Sequence, residues 1–327
     1  MKRRINVPRT ILEGISKDLY GLLGKLVRAA LYVIRRNAYM SRTIGMEPLK
    51  KHLRYTLTSG YVKNKKRPVT TLIIAPAERG KSTEATKFDE AGSGLLYLQD
   101  FTSYGLRELL SELSGKERGG IHHIVIPDLE RISARSRNVR HQILADMRTI
   151  VEEGFIRART YNTDLDMSES PYQCGFIICT TKEDVSDGRS IYRKGNSLPS
   201  RLVPFTYDFS NGMREDVLDF VMGEDSYMRE QKESLVGRVF DVVLSDSYTM
   251  TLKMCAKILA RETEKWTNSP DELIGVRALE NLSTYVKSIA LYNGRQKVTE
   301  DDFNEFLWLF NWMNFRYYDI DEFERRD

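Results

Sequence analysis

The run Ala75-Pro76-Ala77-Glu78-Arg79-Gly80-Lys81-Ser82-Thr83 holds residue types suited to gripping phosphate. It follows the pattern G-x-x-x-x-G-K-[ST], with Ala75 in the place of the first glycine. In such a loop the backbone N–H groups point inward around an anion, and the positive end of the following helix adds to them. Gly80 permits close backbone approach, Lys81 reaches the outer phosphates of a bound chain, and Ser82 offers a hydroxyl to Mg²⁺. A chance Gly-Lys-Ser at a helix start is the bland alternative. The apolar run Thr70-Thr71-Leu72-Ile73-Ile74 just before the loop weighs against it, because it supplies the strand that the loop requires.

A metal-bound phosphate needs a carboxylate as well, and the segment His123-Ile124-Val125-Ile126-Pro127-Asp128-Leu129-Glu130 ends an apolar strand in acids. The usual arrangement is Asp-Glu, the first helping to hold Mg²⁺ and the second polarising water. Two alignments stand. In one, Pro127 takes the Asp position and Asp128 the Glu position; in the other, Asp128 is the metal-side carboxylate and Glu130 the base. Under the first, a carboxylate is missing and hydrolysis is weak or absent.

The elements that must position these residues alternate. Apolar runs at 70–74, 94–98, 121–126, 175–179 and 203–207 read as strands, with helical stretches near 104–114 and 137–153. That pattern predicts an α/β fold with a parallel sheet covered on both faces. Pro204 argues that the last strand lies at an edge or that it marks a strand start. After residue 211 the strand signal fades, and 213–223, 227–243, 248–264, 275–293 and 300–316 read as helices. At the other end, apolar residues from Leu19 to Val33 recur at helical spacing, and 46–60 reads as a further helix. The expected organisation is a basic N-terminal helical segment over 1–41, an α/β nucleotide-binding domain over 42–211 and a helical lid over 212–327.

Composition sets the class. Among 327 residues, 41% are hydrophobic and 29% charged, the balance of a globular chain, and no apolar run approaches the ~20 residues of a membrane span. Cys174, Cys179 and Cys255 form no CxxC pair, so a zinc site or disulfide framework is not expected, and the setting is read as cytoplasmic. The net charge of +4 is mild, but residues 1–67 carry the basic clusters Lys2-Arg3-Arg4, Arg35-Arg36, Lys50-Lys51 and Lys63-Asn64-Lys65-Lys66-Arg67. Such a basic arm touches phosphate or a membrane surface, or else forms a solvated surface.

With the loop, the acid strand and the lid helices in view, the chain resembles an AAA+ ATPase. The stretch from His141 to Glu153, followed by Gly154-Phe155-Ile156-Arg157-Ala158-Arg159, is similar to the helix and hairpin inserted before the sensor 1 strand in the branch that contains MCM helicases, MoxR-type chaperones and NtrC-type activators. Phe176 to Thr181 resembles the sensor 1 strand, with Thr181 as the polar residue; Lys182 falls there in one alignment. Leu198-Pro199-Ser200-Arg201-Leu202 resembles the segment that carries an arginine finger, and Gly275 to Phe303 is similar to the MCM lid, with Arg277 as sensor 2.

This resemblance implies ATP and Mg²⁺ as cofactors and a homo-oligomeric ring. It implies Arg201 acting on a neighbour's nucleotide, and turnover coupled to remodelling or translocating DNA. Arg157 and Arg159 alternate onto one face of the hairpin, where they would contact DNA phosphates; Asp164, Asp166 and Glu169 are their local alternative partners, in a stretch 162–171 read as a mobile turn. A MoxR-like chaperone acting on a protein partner, or a nucleotide switch with little turnover, are the other readings. The N-terminal helices are a candidate surface for a protein partner.

Overall fold

The structure is a computed structural model and describes residues 46–315 apart from 89, 114–119, 160–163, 169–170, 187–196, 223–232, 234, 236–238 and 268–272. The basic segment 1–41, with its expected helix, lies outside the described residues. The chain falls into two compact units. Residues 46–212 and 231–327 form one, which holds every strand among the described residues; of the other, 1–45 and 213–230, the described part is 213–222, within helix α8 (Asn211–Met222).

Five strands make a parallel sheet: β1 (Thr71–Ile74), β2 (Leu95–Tyr97), β3 (His123–Ile126), β6 (Gly175–Thr180) and β7 (Val203–Thr206), in the order β2-β3-β6-β1-β7. All five coincide with apolar runs in the sequence, and β1, β3, β6 and β7 are buried at every position, as strands covered on both faces must be. Period two sorts their side chains. Leu72, Ile74, Ile124, Ile126, Phe176 and Ile178 share a core with Leu106 of α4 (Ser103–Leu113) and Ile143, Met147 and Ile150 of α6 (Arg137–Glu152). On the other face, Thr71 and Phe205 meet His52 of α1 (Glu47–Thr58).

Pro204 sits on the edge strand, as its missing N–H requires. The Val203 N–H points inward to the Thr70 carbonyl (2.8 Å), whereas Thr206, which shares the parity of Pro204, points its N–H outward to the Trp312 carbonyl (2.9 Å). Proline therefore occupies an outward position that β1 does not use, and the segment at 312–314 closes part of the edge.

Three helices in the same unit follow the sheet: α9 (Thr249–Thr267), α10 (Val276–Tyr292) and α11 (Glu300–Phe310). The helix expected over 227–243 does not form among the described residues there. Glu233 bridges Phe88, Phe240 bridges Val62, and Val243 bridges Lys297, each in parallel. Val239, Phe240, Val242 and Val243 are β-branched or aromatic, and such residues favour extended backbone.

A second correction concerns the hairpin. β4 (Arg157–Arg159) pairs antiparallel with β5 (Asp164–Asp166), so part of the stretch expected to be a mobile turn is strand. Tyr172 also pairs antiparallel with Phe155, extending the hairpin beyond β4 and β5. Phe155, of the same parity as Arg157 and Arg159, is buried, whereas both arginines are exposed.

Candidate functional site

The order of the sheet decides where a ligand can sit. From β1 the chain crosses to β2 at one edge, whereas from β6, beside β1, it crosses to β7 at the other. The carboxyl ends of β1 and β6 thus flank the point where the winding reverses, the place where open α/β sheets leave a crevice. The loop 75–80 leaves β1 there, and Thr181 leaves β6 beside it.

The loop is conformationally unusual. Glu78 has φ of 62°, the one positive value among described non-glycine residues, and Gly80 follows at 73°. A left-handed residue with a Cβ costs about 1–2 kcal/mol, so the fold holds Glu78 there against its preference. Gly80 caps α2 (Lys81–Ala85), and the first amides of a helix lack acceptors within it. Lys81 is nearly buried and folds its ammonium back onto the carbonyls of Ala75 and Pro76, both at 2.7 Å. Arg79 pins the loop from outside. It pairs with Asp208 at 2.9 Å and lies over the Phe209 ring, while Tyr207 donates its hydroxyl to the Arg79 carbonyl (2.7 Å).

The Ser82 hydroxyl donates to the Pro127 carbonyl at 2.7 Å. That bond joins the loop to the end of β3, one residue before Asp128. Asp128 is exposed, and one of its oxygens accepts the Glu130 amide (2.9 Å), which starts α5 (Glu130–Ser133). Glu130 is itself exposed. Cys179, at the end of β6, registers both partners: burial pushes its thiol up to about 12, against the pull of Lys81 and with the push of Asp128. Lys81, Ser82 and Asp128 therefore converge at the carboxyl ends of β1, β3 and β6.

A phosphate chain fits this donor set, since the Lys81 ammonium, the Ser82 hydroxyl and helix-start amides are all phosphate donors. For Mg²⁺ the protein offers Ser82 and Asp128, in keeping with an ion that takes one or two protein oxygens and fills the rest from phosphate and water. Among the described residues no group of three or more His, Cys, Asp or Glu forms a metal cage of its own. Cys174, Cys179 and Cys255 are buried and free.

Thr181 lies beside this site but its hydroxyl is occupied. It donates to Asp184 at 2.7 Å and accepts the Asp184 amide at 3.2 Å, the reciprocal cap of α7 (Lys182–Ser186). Lys182, the other alignment's residue, is exposed.

Arg201 and Arg277 are not at this site. Arg201 precedes β7, and Val203 pairs with Thr71, so it stands at the amino end of the sheet, opposite the loop. Both arginines bind Glu152, Arg277 at 2.6 Å and Arg201 in a direct ion pair. Arg67 approaches Glu152 at 4.0 Å and binds Glu280 at 2.7 Å, with Lys66 at 3.7 Å from Glu280. Burial pushes the Glu152 carboxyl up, but hydrogen bonds and charge from Arg277 and Arg201 outweigh it and hold the group below its ordinary value.

Arg67 closes a basic run read as a solvated surface or a phosphate or membrane contact, yet it is 2% exposed, and Lys65 donates to the carbonyls of Gly60 and Val62. One sequence signal does point to Glu152: paired glutamates at the carboxyl end of a helix oppose its dipole and need cationic partners.

On the hairpin, Arg157 faces Asp166 and Arg159 faces Asp164 across the ladder, and each pair forms an ion pair. The local acids meet both arginines across the hairpin.

No protein-family model matches the chain, and a search of curated proteins finds no match.

Proposed function

We propose that the chain is an ATP-binding protein of AAA+ type, with Mg²⁺, whose nucleotide lies along residues 75–83 at the carboxyl ends of β1 and β6. The observation that carries this reading is the Ser82–Pro127 hydrogen bond, which sets the lysine and hydroxyl of the loop against the acid-bearing end of β3. Lys81 would leave the carbonyls of Ala75 and Pro76 for the outer phosphates, and Ser82 and Asp128 would hold the ion. Bound Mg²⁺ supplies charge that offsets the phosphate oxygens. A lid of helices and a ring of copies belong to the same proposal. Arg201, at the far end of the sheet, can serve a nucleotide only on a neighbouring copy.

One observation favours a second reading, in which nucleotide is bound and turned over slowly. The strand end that meets Ser82 is a proline, Asp128 accepts the Glu130 amide, and the Thr181 hydroxyl is engaged with Asp184, so Asp128 and Thr181 each have a structural partner. The hairpin pairs its own charges, which removes a motive for placing DNA there.

Titration with a fluorescent ATP analogue, alongside steady-state ATPase assay with and without DNA, tests these readings. Lys81→Ala is expected to lose binding, and Asp128→Asn to lower turnover more than affinity. Wild-type affinity in the Lys81→Ala chain overturns the site assignment. Normal binding with negligible wild-type turnover selects the slow-turnover reading.

A further inference from the structure

A cavity of about 470 Å³ opens between α9, the start of α10 and the amino end of β7. Its volume lies in the range of small-molecule sites. Its walls differ in kind. Lys66, Arg67 and Arg277 line one side together with Glu152 and Glu280, while Leu202, Leu259 and Ala260 line another. At the lip, Ile274 is 82% and Val276 57% exposed, an apolar rim that water alone covers poorly.

The charge on the cationic side does not balance. Arg67, Arg201, Arg277 and Lys66 are ion-paired to two carboxylates, Glu152 and Glu280, so four positive charges face two negative ones. Arg67 and Arg201 are 2% and 8% exposed, and the Arg201 Nε has no hydrogen-bond partner. Arg148 adds further positive charge beside Arg201. The two buried arginines each have a carboxylate, Glu280 for Arg67 and Glu152 for Arg201, whereas Lys66 and Arg277, with side chains 72% and 37% exposed, share those carboxylates and keep positive charge to offer a ligand. The start of α10 points the same way. Gly275 provides no side-chain cap, and Val276, Arg277 and Ala278, the first residues of this 17-residue helix, line the cavity. Their amides carry the positive end of the helix dipole.

We propose that this cavity is a small-molecule site, separate from the loop at 75–83, for a ligand that joins a phosphate group to a compact apolar body. The phosphate meets Arg277, Lys66 and the start of α10. The apolar body lies on Leu202, Leu259 and Ala260, with Ile274 closing over it. The site rests on the geometry of the cavity and not on the nucleotide reading of the loop.

The test uses the full chain carrying Lys81→Ala, without nucleotide, so that the loop contributes no phosphate binding. Calorimetric titration with phenyl phosphate is expected to saturate at one site per chain. Affinity for inorganic phosphate should be about tenfold lower, because the ring alone buries apolar surface. Ile274→Asp and Lys66→Ala change exposed side chains and leave the fold in place. Each should weaken phenyl phosphate by about fivefold, the scale of an exposed charge contact. No saturable binding, equal affinity for the two probes, or unchanged affinity in both variants overturns the proposal. So does binding seen only when Lys81 is present, since that locates it in the loop.

Discussion

Lowering the pH should destabilise the protein through His52, and the size of the effect follows from its contacts. The ring is fully buried, stacked on Phe205 at 4.3 Å between α1, β1 and α10. Its protonation state is set by its neighbours. The Thr71 hydroxyl donates its proton to the Val203 carbonyl, so it can only accept from His52, which places a proton on Nε2. Nδ1 then accepts the Tyr285 hydroxyl at 2.9 Å. Burial disfavours the second, charging proton on the ring and lowers the folded value from 6.5 to about 3. Between those values the unfolded chain binds a proton that the folded chain refuses, so stability is full above pH 6.5 and falls as pH drops towards 3. At pH 5 the unfolded histidine lies 1.5 units below its own value of 6.5, which amounts to about 2 kcal/mol.

His123, also held near 3 by burial and donating Nε2–H to the Val69 carbonyl, adds a similar amount. Together they remove about 4 kcal/mol of a domain stability that is ordinarily 5–15 kcal/mol. Urea unfolding at pH 7.5 and pH 5 measures the loss, and His52→Gln should shrink it by about half. An identical pH difference in wild type and His52→Gln, or a His52 ring resonance that titrates near pH 6.5, would show that the histidine is not buried neutral as argued.

The remaining predictions concern charge. Glu152→Gln leaves Arg201 and Arg277 without their carboxylate and should cost about 3 kcal/mol, read from the urea midpoint; a loss below 1 kcal/mol would mean that the cluster is solvated. Arg157→Ala/Arg159→Ala should leave affinity for single-stranded DNA and its salt slope unchanged, because Asp166 and Asp164 already offset both charges. A slope reduced by about one per arginine would restore the hairpin as a phosphate contact.

The phosphate loop, five strands and most helices could be read from local pattern, because each depends on spacing within a short window. Thr71 to Ile74 is an apolar run, and Gly80-Lys81-Ser82 carries its chemistry in adjacent residues. Failures came where the deciding partner lies far along the chain. Residues 239–243 carry an apolar pattern that suits helix or strand, and pairing of Phe240 with Val62 decides for extended backbone. Arg67 looked like the end of a solvated basic run until Glu280, more than two hundred residues later, drew it inside. Arg201 and Arg277 were each legible as arginines of interest, but their meeting on Glu152, opposite the loop, depends on how α6, β7 and α10 come together. Secondary structure answers to neighbours within a few residues, whereas ion pairing and burial answer to distance in space, and the tertiary fold alone sets that distance.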